Sequence, residues 1–503
     1  MQRNHGLISL FVLISGVAVA QTPPYMYQVL MYASSGNGSN KTAPFGASVF
    51  SINVPTSVSN PNIGTATAFT TNYTDSQSMV QLNNAINSSI ATALSVIPLA
   101  SPASGVILKK DPATGAELDV SSTLGGIYTE RAETIGKGKF YIGFTHQNFH
   151  FTSLNGESLN GITILNPNGF VSSFLDSNGQ QVKGAPYTVN LGLDIRLSQD
   201  VTFLTYGLTN RVDVSLGLPV VHAAVAATSL DGQVYAGTGN ADQSSNGNCW
   251  CVNTFTPGAK TLYTPFINQA SLSKTGFGDM LFRLKGTVID GPHLVVAVGT
   301  DLRFATGDEQ NYLGTGTTSV KPFLSVSLYN KPFKNGIVLS PHLNLGWQFS
   351  GKSILGGQIQ GTLTPQSYNG GTVQVVGAPF TSTKDYLPDV FSWAVGSEVA
   401  LGRRTTLVVD ILGSQIGWIH GIQSTMQGSA QGLSPNPPNS ATNVVGLVSG
   451  GRTSFGQYSG AFGYKAKVAG NLVATFNALV RFDDNGLTAR FVPLFGLGYT
   501  FGR

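Results

Sequence analysis

Two segments near the C-terminus, Asn471 to Phe482 and Ala489 to Phe501, alternate apolar and polar side chains with period two, separated by Asp483-Asp-Asn-Gly486. Period two sends successive side chains to opposite faces, so the pair describes a sheet with one apolar and one wet face. In the first segment Leu472, Ala474, Phe476, Ala478, Val480 and Phe482 share a side, and Asn471, Thr475, Asn477 and Arg481 take the other. In the second, Phe491, Phe495, Leu497, Tyr499 and Phe501 oppose Arg490, Thr500, Gly496 and Gly498. A soluble sandwich can be written this way as well as a membrane barrel, so the rest of the chain must separate the two.

The N-terminus has the form of a secretory signal. Arg3 and His5 precede an apolar run from Leu7 to Val19, and Ala18-Val-Ala20 before Gln21 has the small-x-small form of a cleavage site. The run is shorter than the ~20 residues a spanning helix needs. Residues 1–20 are therefore expected to be removed near Ala20-Gln21 during export. Beyond that run no stretch offers eighteen consecutive apolar residues, which excludes a helical membrane protein.

Charged residues make up only 10% of the chain and glycine supplies 61 of 503 positions. Low charge, abundant Gly, Ser, Thr and Asn, and alternating segments of about ten residues together fit a transmembrane antiparallel β-barrel. A net charge of +4 spread without a basic block gives no footprint for nucleic acid.

Alternating segments fall at 139–152, 188–208, 211–222, 280–290, 293–305, 319–329, 336–349, 390–401, 404–412, 457–467, 470–482 and 488–501, which makes twelve strands. The connections alternate between short (209–210, 290–292, 330–335, 402–403, 468–469) and mostly long (153–187, 223–279, 306–318, 350–389, 413–456), and only the last external loop, 483–487, is short. Short periplasmic turns facing long external loops, with an even strand count, are what such a barrel requires. Splitting 188–208 would break the parity, and Leu191, Leu193, Ile195, Leu197, Val201 and Phe203 stay in register across it, so one overlong strand is expected.

On this register the lumen-lining candidates are Asp194, Arg196, Arg211, Asp213, Arg283, Lys285, Asp301, Arg303, Glu398, Asp410, Lys465, Arg481 and Arg490, with Arg404 and Lys467 in the same class. Each Lys or Arg on the lipid face near the midplane would cost about 2 to 4 kcal/mol, which forces the inward assignment wherever a strand is in hydrocarbon. Two uses are open: the charges pair with one another and fill the lumen, or some of them line a solute path.

Three segments carry a family resemblance: Tyr206-Gly-Leu-Thr-Asn-Arg-Val-Asp-Val-Ser-Leu-Gly-Leu-Pro219, Gly276-Phe-Gly-Asp-Met-Leu-Phe-Arg-Leu-Lys285, and Leu302-Arg-Phe-Ala-Thr-Gly-Asp-Glu-Gln-Asn-Tyr-Leu-Gly-Thr-Gly316. From about Ile135 to Arg503 the chain resembles bacterial outer-membrane transporters of the phenol meta-degradation pathway type, although the family commonly has proline where Ala305 stands. The resemblance implies an outer-membrane barrel for uptake of small, aromatic or hydrophobic compounds.

At the external end of a strand, Thr306-Gly-Asp308 and Gly314-Thr-Gly316 can turn a loop toward the lumen, making Asp308 and Glu309 candidates for a selectivity element or cation site at the mouth. Glycine-rich turns that merely close a strand end are the competing reading.

Residues 21–138 fall outside the barrel and form an N-terminal plug or periplasmic segment. Residues 34 to 75 have the Ser, Asn, Thr and Gly content of a flexible stretch. Leu82, Ile86, Ile90, Leu94 and Ile97 recur at three to four residues, predicting an amphipathic helix from Ser78 to Ile97 stopped by Pro98. Gly105 to Lys110 and Glu117 to Ser122 form a candidate hairpin. Cys249 and Cys251 flank Trp250 in the longest external loop, with no His within ten residues to complete a metal site, and are expected to be loop decoration. Asn436-Pro-Pro-Asn439 is loop composition.

No nucleophile elbow, His-Glu-x-x-His, phosphate loop or CxxC occurs, so no enzyme, cofactor or metal is expected. His146 and His150 lie in the first strand near Asn148, and His342 faces inward with Asn344. Residues 21 to 138 are too short, and lack the repeat, for an autotransporter passenger. The reading is a passive channel for small solutes, with outer-membrane lipid and the outer-membrane assembly machinery as partners and either a monomer or an oligomer compatible with the sequence. A non-transporting adhesin or structural barrel is the alternative, because the external loops are large.

Overall fold

Alternation with period two becomes a closed sheet in the computed structural model. The structure describes residues 25–29, 49–52, 58–60, 64–66, 69–72, 76–98, 108–110, 117–119, 124–166, 171–175, 181–183, 187–234, 269–329, 338–368, 371–401, 404–427 and 445–501. The signal segment, Cys249, Cys251 and the 436–439 run lie outside the described residues.

Twelve antiparallel strands form the wall: β1 (Phe140–Phe151), β2 (Tyr187–Gly207), β3 (Val212–Val234), β4 (Leu281–Asp290), β5 (Leu294–Arg303), β6 (Ser319–Leu328), β7 (Val338–Ser350), β8 (Val390–Ala400), β9 (Thr405–Gln427), β10 (Val445–Ala469), β11 (Leu472–Arg481) and β12 (Phe491–Phe501). Each pairs with its sequence neighbours, and β12 closes on β1 from Leu494 opposite Gln147 to Phe501 opposite Phe140. Closure leaves no unpaired edge, which is what a sheet in hydrocarbon requires. The outer face supplies the apolar band: Ile411, Phe462, Phe476, Phe495 and Leu497 are each between 47% and 54% exposed. Phe476 and Phe495 meet edge to face across β11 and β12 at 5.7 Å. A closed sheet that turns such residues outward and its charges inward is a transmembrane barrel.

The expected strand positions hold, but three strands run further. β3 continues to Val234, β9 to Gln427, and β10 starts at Val445, so the β9–β10 hairpin is built of strands 23 and 25 residues long. Stretches such as Gln423-Ser-Thr-Met-Gln427 carry no apolar-polar alternation in the sequence to reveal them. Segments 160–166 and 269–277, expected in loops, are strands that flank the upper parts of β2 and β3. In the 34–75 stretch, where composition suggested flexibility, Val49–Ile52 pairs with Phe69–Asn72 and Val58–Asn60 with Gly64–Ala66. The expected hairpin joins Leu108–Lys110 to Glu117–Asp119.

Helix α1 (Ser76–Val96) lies inside the half of the barrel nearer the long connections. Its periodic residues Leu82, Ile86, Ile90 and Leu94 are buried, and they join one cluster with Leu193, Ile195, Leu197, Val201 and Phe203 of β2 and Phe149 and Phe151 of β1. The polar side of the helix is buried too, so it is not amphipathic in its surroundings. Asn83 and Asn87 donate to the Tyr27 carbonyl, Asn84 accepts from the Ile359 amide, and Asn87 accepts from the Tyr312 hydroxyl. Three asparagines are poor helix formers, and here each is retained by a partner that would otherwise be a buried unpaired polar group.

Candidate functional site

The apolar helix inverts one part of the expected lumen. In β2 the residues in register with Ile195 and Phe203 point inward against α1, so Asp194 and Arg196 point outward, with side chains 44% and 61% exposed. The sequence assignment of these two residues to the lumen is thereby corrected. The physical reason is that the outward side of this upper segment carries charge freely, while the inward side faces an apolar partner. Arg196 pairs with Asp194 at 2.8 Å, and His146 with Asp200 at 2.8 Å, both on the outer surface.

The half of the lumen nearer the short turns is occupied by residues 124–138, and the inward charges of the wall face its backbone. Glu398 of β8 accepts from the Gly125 amide at 2.9 Å and from Arg131 at 3.1 and 2.5 Å. Asp410 of β9 accepts from the Tyr128 amide and the Thr129 hydroxyl, each at 3.0 Å. Lys465 of β10 donates to the Gly126 carbonyl at 2.6 Å, and Lys285 of β4 donates to the carbonyls of Arg131 and Glu133 and to the Glu130 carboxylate at 2.7 to 3.0 Å. Asp213 of β3 accepts from the Ile135 amide at 2.9 Å. Asn344 of β7 both accepts from the Glu130 amide and donates to its carbonyl, at 2.6 and 2.8 Å. An irregular chain cannot satisfy its own backbone inside a barrel, so the wall supplies the partners a sheet or helix would have provided.

Two glycines of the wall mark how closely the segment passes. A Cβ at Gly207 would stand 1.9 Å from the Gly136 carbonyl oxygen, and one at Gly463 would stand 2.0 Å from Ile127 Cδ1. Burial alone would lower the Arg131 value, but Glu398 beside it more than offsets this and holds the guanidinium above its ordinary value. Burial pushes the Tyr128 hydroxyl above the usual tyrosine range.

Between α1 and this segment lies a cavity of about 160 Å³, lined by Arg283, Asp301, Arg303, Lys321, Glu130 and Asn344 among others. Arg283 bonds Asp301 at 2.6 and 2.8 Å and Glu130 at 2.8 Å, and lies over the Phe323 ring at 5.0 Å. Arg303 donates to the Leu94 carbonyl, at the last turn of α1, at 2.6 Å. A second cavity of about 80 Å³ lies beyond Val96-Ile97-Pro98 and is walled by Phe149, Phe151, Leu412, Leu479 and Val492.

The remaining candidates sit at the ends of the barrel. Arg211 is exposed in the β2–β3 turn. Arg481 is half-enclosed and holds Asp483 at 3.0 Å, and Arg490 is exposed beside Asp484 at 2.8 Å. Asp308 caps the short turn Glu309–Asn311 by accepting from the Gln310 amide, and Glu309 accepts from Ser353 and the Ile354 amide. The Glu309 carboxylate thus ties its loop to residues 353–354, while Asp308 holds its own turn. Asp279, not singled out from the sequence, anchors the same loop by accepting from the amides of Gly307 and Thr315.

Lys321, Glu130 and Arg131 were also missed. Lys321 shares the inward parity of Ser319, Phe323 and Ser325 in a strand that had been found, so parity would have revealed it. Glu130-Arg-Ala-Glu133 is a dense charge group in a chain with 10% charged residues, and that contrast was the available signal.

No family model and no curated protein matches this sequence. Among solved structures the chain is similar to an outer membrane channel from Pseudomonas putida F1, at TM-score 0.36 and 10% identity over 74% of this chain and 98% of that one. It is similar to a Pseudomonas aeruginosa FadL homologue, at TM-score 0.26 and 10% identity over 80% of this chain and 98% of that one. The Ralstonia pickettii toluene transporter TbuX gives TM-score 0.30 and 11% identity over 73% of this chain and 90% of that one.

Proposed function

We propose that this protein is an outer-membrane channel through which small solutes diffuse passively, with residues 1–20 a removed signal, 21–138 a plug and 139–503 the barrel. The observation that carries this reading is the hydrogen-bonding cavity of about 160 Å³ enclosed within a closed transmembrane barrel, between α1 on the external side and residues 124–138 on the periplasmic side. A barrel built only to anchor loops would gain nothing from a polar chamber at mid-lumen, whereas a solute path needs groups that replace water as a molecule passes. Asp213, Lys285, Glu398, Asp410 and Lys465 hold the plug, and Arg283, Asp301 and Arg303 line the chamber. Passage past residues 124–138 requires that segment to shift. Small aromatic or hydrophobic compounds, the solute class suggested by the sequence resemblance, are the substrates proposed.

The test is the mature protein refolded into planar bilayers and liposomes, with ion conductance and uptake of phenol-like and sugar-sized solutes measured together. Conductance with uptake is the expected result. A heat-modifiable, strand-rich barrel that passes neither would instead be a non-transporting surface protein.

A further inference from the structure

The cavity carries an imbalance of charge that the plug does not account for. Its ionised lining is Arg283, Arg303 and Lys321 against Glu130 and Asp301, three cations to two carboxylates, leaving one positive charge in excess. Arg283 uses both carboxylates. Arg303 commits one N–H, to the Leu94 carbonyl, although a guanidinium offers five. Among the described residues the Lys321 ammonium has no hydrogen bond or ion pair within bonding distance.

These two groups share one wall. In the β5–β6 ladder Asp301 stands opposite Lys321 and Arg303 opposite Ser319, so Arg303 and Lys321 are diagonal neighbours on the inward face. Two like charges that close in a partly desolvated chamber repel; Asp301, which Arg283 already engages, and Asp279 beside Arg303 offset this in part, and an anion between the two cations relieves the remainder. Gly346 makes room for this: a Cβ there would stand 2.6 Å from Lys321 Cε, so the absence of a side chain lets the lysine lie across the chamber floor. Ser319, Asn344 and Gln348 add neutral hydrogen-bonding groups to the same lining.

Beyond Val96-Ile97-Pro98, which line both cavities, the chamber gives way to a mainly apolar cavity of Phe149, Phe151, Leu412, Leu479 and Val492, whose one charged lining residue, Arg481, is paired with Asp483. A basic chamber next to an apolar one suits a molecule with an anionic head and a short apolar body. A neutral hydrocarbon would leave Lys321 unpaired, and a dianion would exceed the single excess charge.

We infer that the mid-lumen chamber is a subsite for small organic monocarboxylates with an aromatic or short alkyl body, the carboxylate seated between Lys321 and Arg303 and the apolar part directed past Val96–Pro98. The inference rests on the channel reading above and names its substrate class.

The experiment is uptake into liposomes carrying the full mature chain, comparing benzoate with its neutral isostere benzamide and with phenol. Saturable benzoate uptake preferred over benzamide is expected, with that preference falling about tenfold in Lys321→Met and persisting in Lys321→Arg, the scale of one charge-assisted hydrogen bond. Migration differences between heated and unheated samples establish that each variant is folded, and the comparison of benzoate with benzamide on the unaltered protein needs no variant at all. Passage of phenol and benzamide with exclusion or non-saturable leakage of benzoate would overturn the subsite and leave the channel standing. Passage of none of the three would overturn both.

Discussion

Arg131 and Glu398 face each other across the inside of the barrel in a two-pronged ion pair, Nε to Oε1 at 3.1 Å and Nη2 to Oε2 at 2.5 Å, with both side chains at 1% exposure or less. His342 Nε2 lies 2.9 Å from the same carboxylate, and the Gly125 amide donates to it as well. One wall carboxylate therefore gathers two points of the 124–138 segment and a neighbouring strand.

Glu398→Gln removes the charge but keeps the shape, leaving Arg131 buried without its counter-ion. Loss of one partner of such a pair costs about 3–5 kcal/mol. The expected outcome is release of residues 124–138 with the barrel intact, seen as conductance several times that of the unaltered protein and new protease cleavage near Arg131. Unchanged conductance with a protected segment would show that the pair does not hold the plug.

If passage requires the plug to move, tethering it should stop passage. The Ala132 amide lies 3.0 Å from Ser327 Oγ on β6, so Ala132→Cys with Ser327→Cys should form a disulfide under oxidation. Solute uptake is expected to fall on oxidation and return with reductant. Uptake that ignores the cross-link would place the path elsewhere in the lumen.

Gly463→Val addresses the same segment without touching charge. The new side chain would occupy the space of Ile127 Cδ1, 2.0 Å from the Cβ position, and the overlap is expected to cost about 1–3 kcal/mol. Displacement of residues 124–138 should raise conductance as Glu398→Gln does, with no change in the charge of the lumen.

The outer face gives a prediction about the membrane itself. Phe476→Arg places a charge beside Phe495 on the lipid side, at an expected loss of about 2–4 kcal/mol in a folding titration into vesicles if the site is near the midplane. Arg196→Ala on the outward part of upper β2 is expected to change stability by less than about 1 kcal/mol, since an exposed ion pair contributes little. Equal effects at the two sites would contradict the assignment of β2's upper part to the region outside hydrocarbon.

Period-two writing alone determined the barrel: twelve strands, their order and their alternation of short and long connections were legible because a lipid face and a wet lumen impose opposite demands on every second residue. The inward positions of Asp213, Lys285, Glu398, Asp410 and Lys465 were legible for the same reason, and so was the helix, from Leu82, Ile86, Ile90 and Leu94. Their partners were not. Only the tertiary structure placed α1 inside the barrel, and that placement reversed β2, turning Leu193 and Ile195 inward and Asp194 and Arg196 out. It also decided that Glu398 and Lys465 serve the backbone of residues 124–138, and that Lys321 stands over an open chamber. Alternation reports which face of a strand a residue takes, since that is fixed by adjacent covalent geometry. What fills the space on that face comes from a segment hundreds of residues away, and no local pattern encodes it.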